Sequence, residues 1–379
     1  MAIALAACSS GSGSTGSTGS VASSGPFVLP VFTDQSGSNA PSGALNFDAE
    51  KLAVNEINAN GGVDGHQIQI KVYNTQSSPS VAVENFSQLP SDTLITVGPD
   101  LSTNAKAMFP LAKKQGIPVI SGATSDATVV ATGQPWTYDT FVPAQVELPG
   151  NVDTFLKKFP TTSFASIIDT QDDASALQGG MVVDEFTAKG IKRTASSVVT
   201  QGQSGYNSEI AQIEASHPQV VVVADEPEYA AAIINTLRST GFTGPVFLPT
   251  ASFEGQSVTL INKTVKDVYI GDEYWYGDTQ ATNQSFVKSF KAISGNIPPG
   301  TAGPAPYEAV YLAVQALKET HALTSNASVA DKRQAIIAYL AKVTNFKGII
   351  GTFSMTSGGY FSGPATLLGL SNGVLAPVS

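Results

Sequence analysis

The feature that most limits the fold of this chain is a regular exchange between two hydrophobic periods. From Pro26 onward, Phe27 to Phe32 reads as a buried strand, after which Leu45, Ala49, Leu52, Ala53 and Ile57 recur at helical spacing up to a Gly61-Gly62 stop. Ile68, Ile70 and Val72 alternate as a strand; Ser78-Pro79 is a cap followed by a first-turn proline, opening a helix over Val81 to Leu89. Leu94 to Val97, Thr103 to Gln115 and Ile117 to Ile120 continue as strand, helix and strand. A second block repeats the order, with strands Phe164 to Ile168, Ala195 to Thr200, Val220 to Val223 and Val246 to Leu248 alternating with helices near 175–189, 207–216 and 227–240. Alternation of this kind implies parallel sheets flanked by helices. A chain of 379 residues exceeds the ~200 that one core comfortably supports, so an α/β protein of two lobes is expected. After a strand at Val268 to Gly271, three helices near 283–294, 306–322 and 329–343 precede short strand-like runs ending at Leu370. This late return of helices predicts that the chain re-enters the first lobe.

Composition excludes several kinds of function. Only 13% of residues are charged, about half the ~25% of an average globular protein. The net charge is -10 and Lys and Arg form no run, so no basic patch is available for a nucleic acid. No apolar run is long enough to cross a bilayer. One Cys and three His (His66, His217, His321) are thin material for a disulfide or a metal site. Neither a nucleophile motif, nor a phosphate loop, nor clustered His is present, so no cofactor and no catalysis are expected. His66 in a turn and His217 before Pro218 read as solvent-facing. Gly11-Ser-Gly13-Ser-Thr-Gly16 has the form of a dinucleotide fingerprint but no strand before it or helix after it, and so carries no such meaning.

Two loops in the first half could hold a ligand. Strand 94–97 runs into Gly98-Pro99-Asp100-Leu101-Ser102 at the start of a helix, and strand 117–120 runs into Ser121-Gly122-Ala123-Thr124 before Asp126. Both leave the carboxyl ends of parallel strands, where open α/β sheets place ligands. A helix N-terminus offers unpaired N–H groups and partial positive charge, to which Ser102 and Thr124 add hydroxyls. Neither loop holds Lys or Arg, so a single carboxylate or an amide is the expected guest rather than a polyphosphate. The plainer alternatives are that Ser102 caps its helix and that Thr124 makes a turn.

The N-terminus is similar to the end of a bacterial lipoprotein signal: Leu5-Ala6-Ala7-Cys8, then a Ser/Gly/Thr tract to about Gly25. That resemblance implies lipidation of Cys8, attachment to a membrane and an extracytoplasmic body on a flexible tether, residues 1–25. A basic region and most of the apolar region are missing, so Met1 is expected to lie downstream of the true start. The alternative is that Cys8 is an incidental thiol.

The body resembles the type I periplasmic binding proteins, the family of the leucine/isoleucine/valine-binding protein. The matching segments are Leu52-Ala-Val-Asn-Glu-Ile-Asn58 with Gly61-Gly62-Val-Asp-Gly65, Val97-Gly98-Pro99 with Ser102, and Gly116-Ile-Pro-Val-Ile120 with Gly122-Ala-Thr124; then come Tyr307-Glu-Ala-Val310 and Phe346-Lys-Gly348 with Gly351-Thr-Phe353. The resemblance implies two flavodoxin-like (Rossmann-like) lobes joined by three crossovers, near Val142–Gln145, Ile270–Asp272 and Thr344–Phe346. The lobes would be 26–143 plus 272–345 and 144–271 plus 346–379, with a solute bound between them by hinge closure and an ABC transporter permease as partner; a monomer is expected. In this family, residues matching Ser102 and Thr124 hold an amino acid's carboxylate and help hold its ammonium; Gly122 and Ala123 belong to the same cradle, and Gln145 lies at the first crossover.

The second lobe departs from the family pattern. Asp173-Ala174 stands where amino-acid binders have Tyr-Gly, and Ala251 stands near the position of an acidic partner for the ammonium. Asp225 and Glu226, where a strand hands over to a helix, could replace that partner, or could simply favour the helix start. Tyr274 and Tyr276 could close over the ligand or simply pack. Amino acids head the expected solutes, with amides and small carboxylic acids open, and a ligand-sensing module for a separate receptor is the alternative role.

Overall fold

The computed structural model describes residues 25–378 apart from 201, 254–256, 273, 301–302, 350 and 364–365. Cys8 and the tether fall outside the described residues. The chain begins with β1 (Phe27–Thr33), α1 (Ala40–Ala59), β2 (Ile68–Asn74), α2 (Pro79–Ser87), β3 (Thr96–Val97), α3 (Ser102–Gln115), β4 (Val119–Ser121), α4 (Ala127–Thr132) and β5 (Thr137–Asp139). These strands form a parallel sheet in the order β2-β1-β3-β4-β5.

The chain then passes to a second body through α5 (Ala144–Lys158), β6 (Ser163–Asp169), α6 (Asp173–Ala188), β7 (Lys192–Val199), α7 (Asn207–Ala215), β8 (Val220–Ala224), α8 (Pro227–Thr240), β9 (Val246–Leu248), α9 (Ser257–Leu260) and β10 (Val268–Asp272). Strands β7-β6-β8-β9-β10 repeat the first sheet's order and are again parallel. There follow α10 (Ala281–Ile293), α11 (Pro304–Glu319), α12 (Val329–Leu340), β11 (Phe346–Lys347), β12 (Thr352–Met355), β13 (Phe361–Ser362), β14 (Thr366–Ser371) and β15 (Val374–Pro377). The last two extend the second sheet beyond β10 as antiparallel strands.

Each sheet is covered on both faces, which is why its strands are nearly continuous apolar runs. In β8, Val221 and Val223 face one core with Ile210, Ile233 and Leu237, while Val220 and Val222 face the other with Phe155, Val182 and Phe186. In the first lobe, Leu29, Val31 and Val97 pack with α1, α11 and α12, and Phe32 and Val119 pack with Phe86, Met108 and Phe109 on the opposite face.

The third passage between lobes corrects the sequence expectation. Phe346, Phe353, Met355 and Phe361 lie in the same core as Leu29 and Val97, whereas Leu368 and Leu370 lie in the second lobe's core. By their packing the strands from Phe346–Lys347 to Phe361–Ser362 belong with the first lobe and Thr366–Ser371 with the second, so the passage does not lie near Thr344–Phe346. Nothing in the apolar pattern marks this, because short strands of either lobe look alike.

Candidate functional site

In both sheets the strand order reverses beside the first strand, between β1 and β3 and again between β6 and β8. Loops at the carboxyl ends of such a reversal splay apart and leave a crevice. The two crevices face each other across one cavity of about 640 Å3 of free space counting its mouth, lined from the first lobe by Asn46, Asp100, Ser102 and Ser125 and from the second by Asp172, Gln178, Glu226 and Thr250. Phe141, Ala123, Ala174 and Ala251 supply its apolar wall.

On the first lobe, the turn after β3 is made possible by Gly98. Its φ is +92°, and a Cβ there would lie 2.1 Å from the Phe32 carbonyl oxygen, so only glycine fits. This turn delivers Ser102 to the first position of α3. Leu101, not Ser102, is the N-cap residue, and no side chain caps the helix. Ser102 is thus free of the capping duty; its Oγ accepts the Ser125 N–H at 3.3 Å and lies 3.4 Å from the Ser125 Oγ. Two neighbouring hydroxyls at a helix N-terminus form a neutral donor set.

Asp100 turns the other way, toward α1. Its Oδ2 accepts the Asp34 N–H at 3.1 Å, and the Thr33 and Asn46 side chains also bond to it. Burial, reinforced by the neighbouring Asp34 carboxylate, pushes the Asp100 carboxyl up to about 7. Asp34 itself is saturated by neutral donors: the Thr75 hydroxyl, Ser77 N–H at 2.8 Å, Asn104 Nδ2 at 3.3 Å and Asn39 Nδ2 at 2.9 Å. Glu50, buried one helical turn beyond Asn46, is also held well above the usual carboxylate range by burial and by Asp100.

On the second lobe, Asp172 caps α6 by accepting the Ser175 N–H at 2.7 Å, and burial raises its carboxyl. Glu226 is the N-cap residue of α8 and makes no side-chain cap bond. Gln178 is fully buried; its Oε1 accepts the Ala251 N–H at 2.9 Å, while its Nε2 has no partner. A buried donor left in that state costs about 1–3 kcal/mol, which a solute's acceptor would recover. No Lys or Arg among the described residues lines the cavity. Lys106 on α3 reaches across the cleft to Asp173 on α6 at 3.4 Å.

The residues named from sequence divide accordingly. Ser102, Ala123 and Glu226 line the cavity. Thr124 does not: it is fully buried, its N–H bonds to Asp139 Oδ2 at 3.1 Å and its hydroxyl pairs with Ser121 Oγ at 2.8 Å, so it shapes the loop that presents Ser125. Gly122 lets α11 approach, since a Cβ there would sit 2.6 Å from Pro306. Gln145 is spent on the loop before α4, bonding Ala127 N–H and Asp126 Oδ1 at 3.2 and 2.8 Å. Asp173 is an exposed rim residue. Asp225 lies behind Glu226, its Oδ1 accepting the Glu226 N–H at 2.8 Å; burial pushes it up to about 7. Tyr274 is a core residue bonded to Asn283 at 2.8 Å, and Tyr276 packs beside it. The aromatic face of the cavity is Phe141 instead. Sequence reasoning passed over Asn46, Asp100, Ser125 and Gln178; only the position of Asp100 and Ser125 inside the two singled-out loops could have pointed to them.

A two-lobed α/β scaffold whose cavity joins the switch points of both sheets defines a binding protein. The chain belongs to the periplasmic binding protein family, whose sequence model matches residues 26–372. It is similar in structure to the branched-chain amino acid transporter substrate binding protein LivJ from Streptococcus pneumoniae, in complex with isoleucine (TM-score 0.80, 20% identity, 93% of this chain and 99% of that one). It is likewise similar to the leucine binding protein LivK from Thermotoga maritima (TM-score 0.81, 16% identity, 93% and 98%). A third similar structure is an ABC transporter solute binding protein from R. palustris in complex with benzoate (TM-score 0.81, 20% identity, 93% and 96%). A comparison with curated proteins yields no match. The family is one of solute-binding proteins, not enzymes, and no helix among the described residues is long and apolar enough to cross a membrane.

Proposed function

We propose that the chain is the extracytoplasmic solute-binding component of an ABC importer, and that it closes on a small polar solute with a carboxylate or amide end, an amino acid or a relative of one. The observation that carries this reading is the cavity shared by both lobes, with the Ser102 and Ser125 hydroxyls and the start of α3 on one wall and the unpartnered Gln178 Nε2 on the other. Neutral donors suit a single carboxylate in a desolvated site better than a fixed cation would, because they carry no large desolvation cost of their own. Residues 26–143 with 274–362 and residues 144–272 with 366–378 would move as the two bodies, and contacts made only on closure would shift the population toward the form a permease recognises. The described residues would act as a monomer, and Cys8 would carry the lipid that keeps the protein at the membrane.

A thermal-shift panel of amino acids, amides and small carboxylic acids tests the reading. A solute at ~100 times its dissociation constant should stabilise the fold by roughly 2.7 kcal/mol. Small-angle scattering should show compaction on addition of the same solute. Membrane fractionation of the Cys8→Ser variant tests the anchor: release into the soluble fraction supports it, and unchanged retention rejects it.

A further inference from the structure

We propose that Gln178 sets the specificity of the cavity by reading a neutral oxygen acceptor, such as a carboxamide carbonyl, at the end of the solute remote from Ser102 and Ser125. The inference rests on the solute-binding reading above and narrows its substrate class to carboxylates that carry such a group at their far end.

Gln178 stands in the second turn of α6, fully buried, and lines the cavity. The orientation of its amide is fixed by chemistry: the Ala251 N–H can only donate, so the atom 2.9 Å from it is the oxygen, and Nε2 takes the other place. Holding the turn after β9 thus uses the carbonyl half of the side chain and leaves the NH2 half without a task in the fold. Among the described residues no acceptor meets that Nε2. Buried donors are rarely left so, since each costs the free energy of an unmade hydrogen bond. On the facing lobe, the Ser102 and Ser125 hydroxyls and the start of α3 are donors as well. Donors in both lobes, with apolar surface from Phe141, Ala123 and Ala251 in the same cavity, fit a solute that has an acceptor at each end and a short apolar middle. An apolar far end would leave Nε2 unpaired on closure. A second carboxylate would enter the lobe that holds Asp172 and Glu226, with no Lys or Arg among the described residues lining the cavity to offset them. A neutral oxygen meets neither penalty.

Titration calorimetry on the full chain tests the proposal with two sets of probes matched in shape: L-asparagine, L-leucine and L-aspartate, and succinamate, 4-methylpentanoate and succinate. Within a set only the far end changes, from carboxamide to isopropyl to carboxylate. In each set that binds, the parent is expected to favour the carboxamide over its apolar match by about tenfold. Gln178→Glu keeps an oxygen for the Ala251 N–H and replaces only the donor, and Gln178→Met removes the donor without adding a charge. Both are expected to abolish the tenfold preference while the apolar member still binds. A purely structural role for Gln178 would instead weaken all members of a set alike. That outcome, or tighter binding of an apolar or dicarboxylate probe by the parent, overturns the far-end assignment and leaves the solute-binding reading standing. Should neither variant fold, the ranking by the parent decides. If none of the six probes binds, both readings fall.

Discussion

The Ser102 Oγ accepts the Ser125 N–H at 3.3 Å, which ties the start of α3 to the loop after β4 and sets two hydroxyls side by side at the cavity. Removing either hydroxyl should cost solute affinity by roughly the value of one neutral hydrogen bond, about 0.5–1.5 kcal/mol, or up to about tenfold. Ser102→Ala and Ser125→Ala are therefore expected to bind more weakly at nearly parental melting temperature. Thr124→Ala should do the reverse, because Thr124 bonds to Ser121 in its own loop and to Asp139 on β5 and does not line the cavity. Calorimetry and melting curves on the three variants check this, and loss of affinity confined to Thr124→Ala would reverse the assignment.

Lys106 and Asp173 join the lobes at the exposed rim. Surface pairs of this kind contribute about 0–1 kcal/mol. Lys106→Ala should weaken solute binding by no more than about fivefold, and the difference should vanish in roughly 1 M salt, where screening acts within about 3 Å. A difference that persists in high salt would mean that Lys106 touches the solute directly.

Stability of the free protein should depend on pH through its buried carboxyls. Burial pushes Glu308 on α11 up to about 8, against a pull down from the Ile349 N–H at 2.7 Å. A carboxyl raised in the folded state binds more protons folded than unfolded, so its contribution is complete at low pH and is lost as pH rises toward 8. Glu50, Asp139 and Glu147 are raised by burial in the same direction. The melting temperature of the free protein is expected to be higher at pH 6 than at pH 8.5, and Glu308→Gln should reduce that difference. A melting temperature that rises over the interval would contradict the argument.

The alternating apolar periods disclosed the two parallel sheets because each is buried on both faces, and strands such as β8 then carry no polar residue to blur them. Less visible was α5, whose interior Pro149 interrupts the helical pattern, and β5, a short strand of Thr-Tyr-Asp. The site was half legible. Loops at the ends of β3 and β4 were found from strand position alone, but the choice between Thr124 and Ser125 depends on which way one turn faces, and a one-residue step reverses it. Gln178 and Asn46 escaped notice because a polar residue on an amphipathic helix looks the same whether it meets solvent or a cavity.

Because the chain leaves the first lobe after β5, returns after β10 and leaves again after Ser362, neither half is a continuous length of polypeptide. No single cut yields one complete half: a break near Pro143 strips the first of α11 and α12, and one before Thr366 strips the second of the strand beside β10. Each half holds the other's missing piece in place, so melting should proceed as one cooperative event, and a gene fragment encoding either half alone should give no folded product.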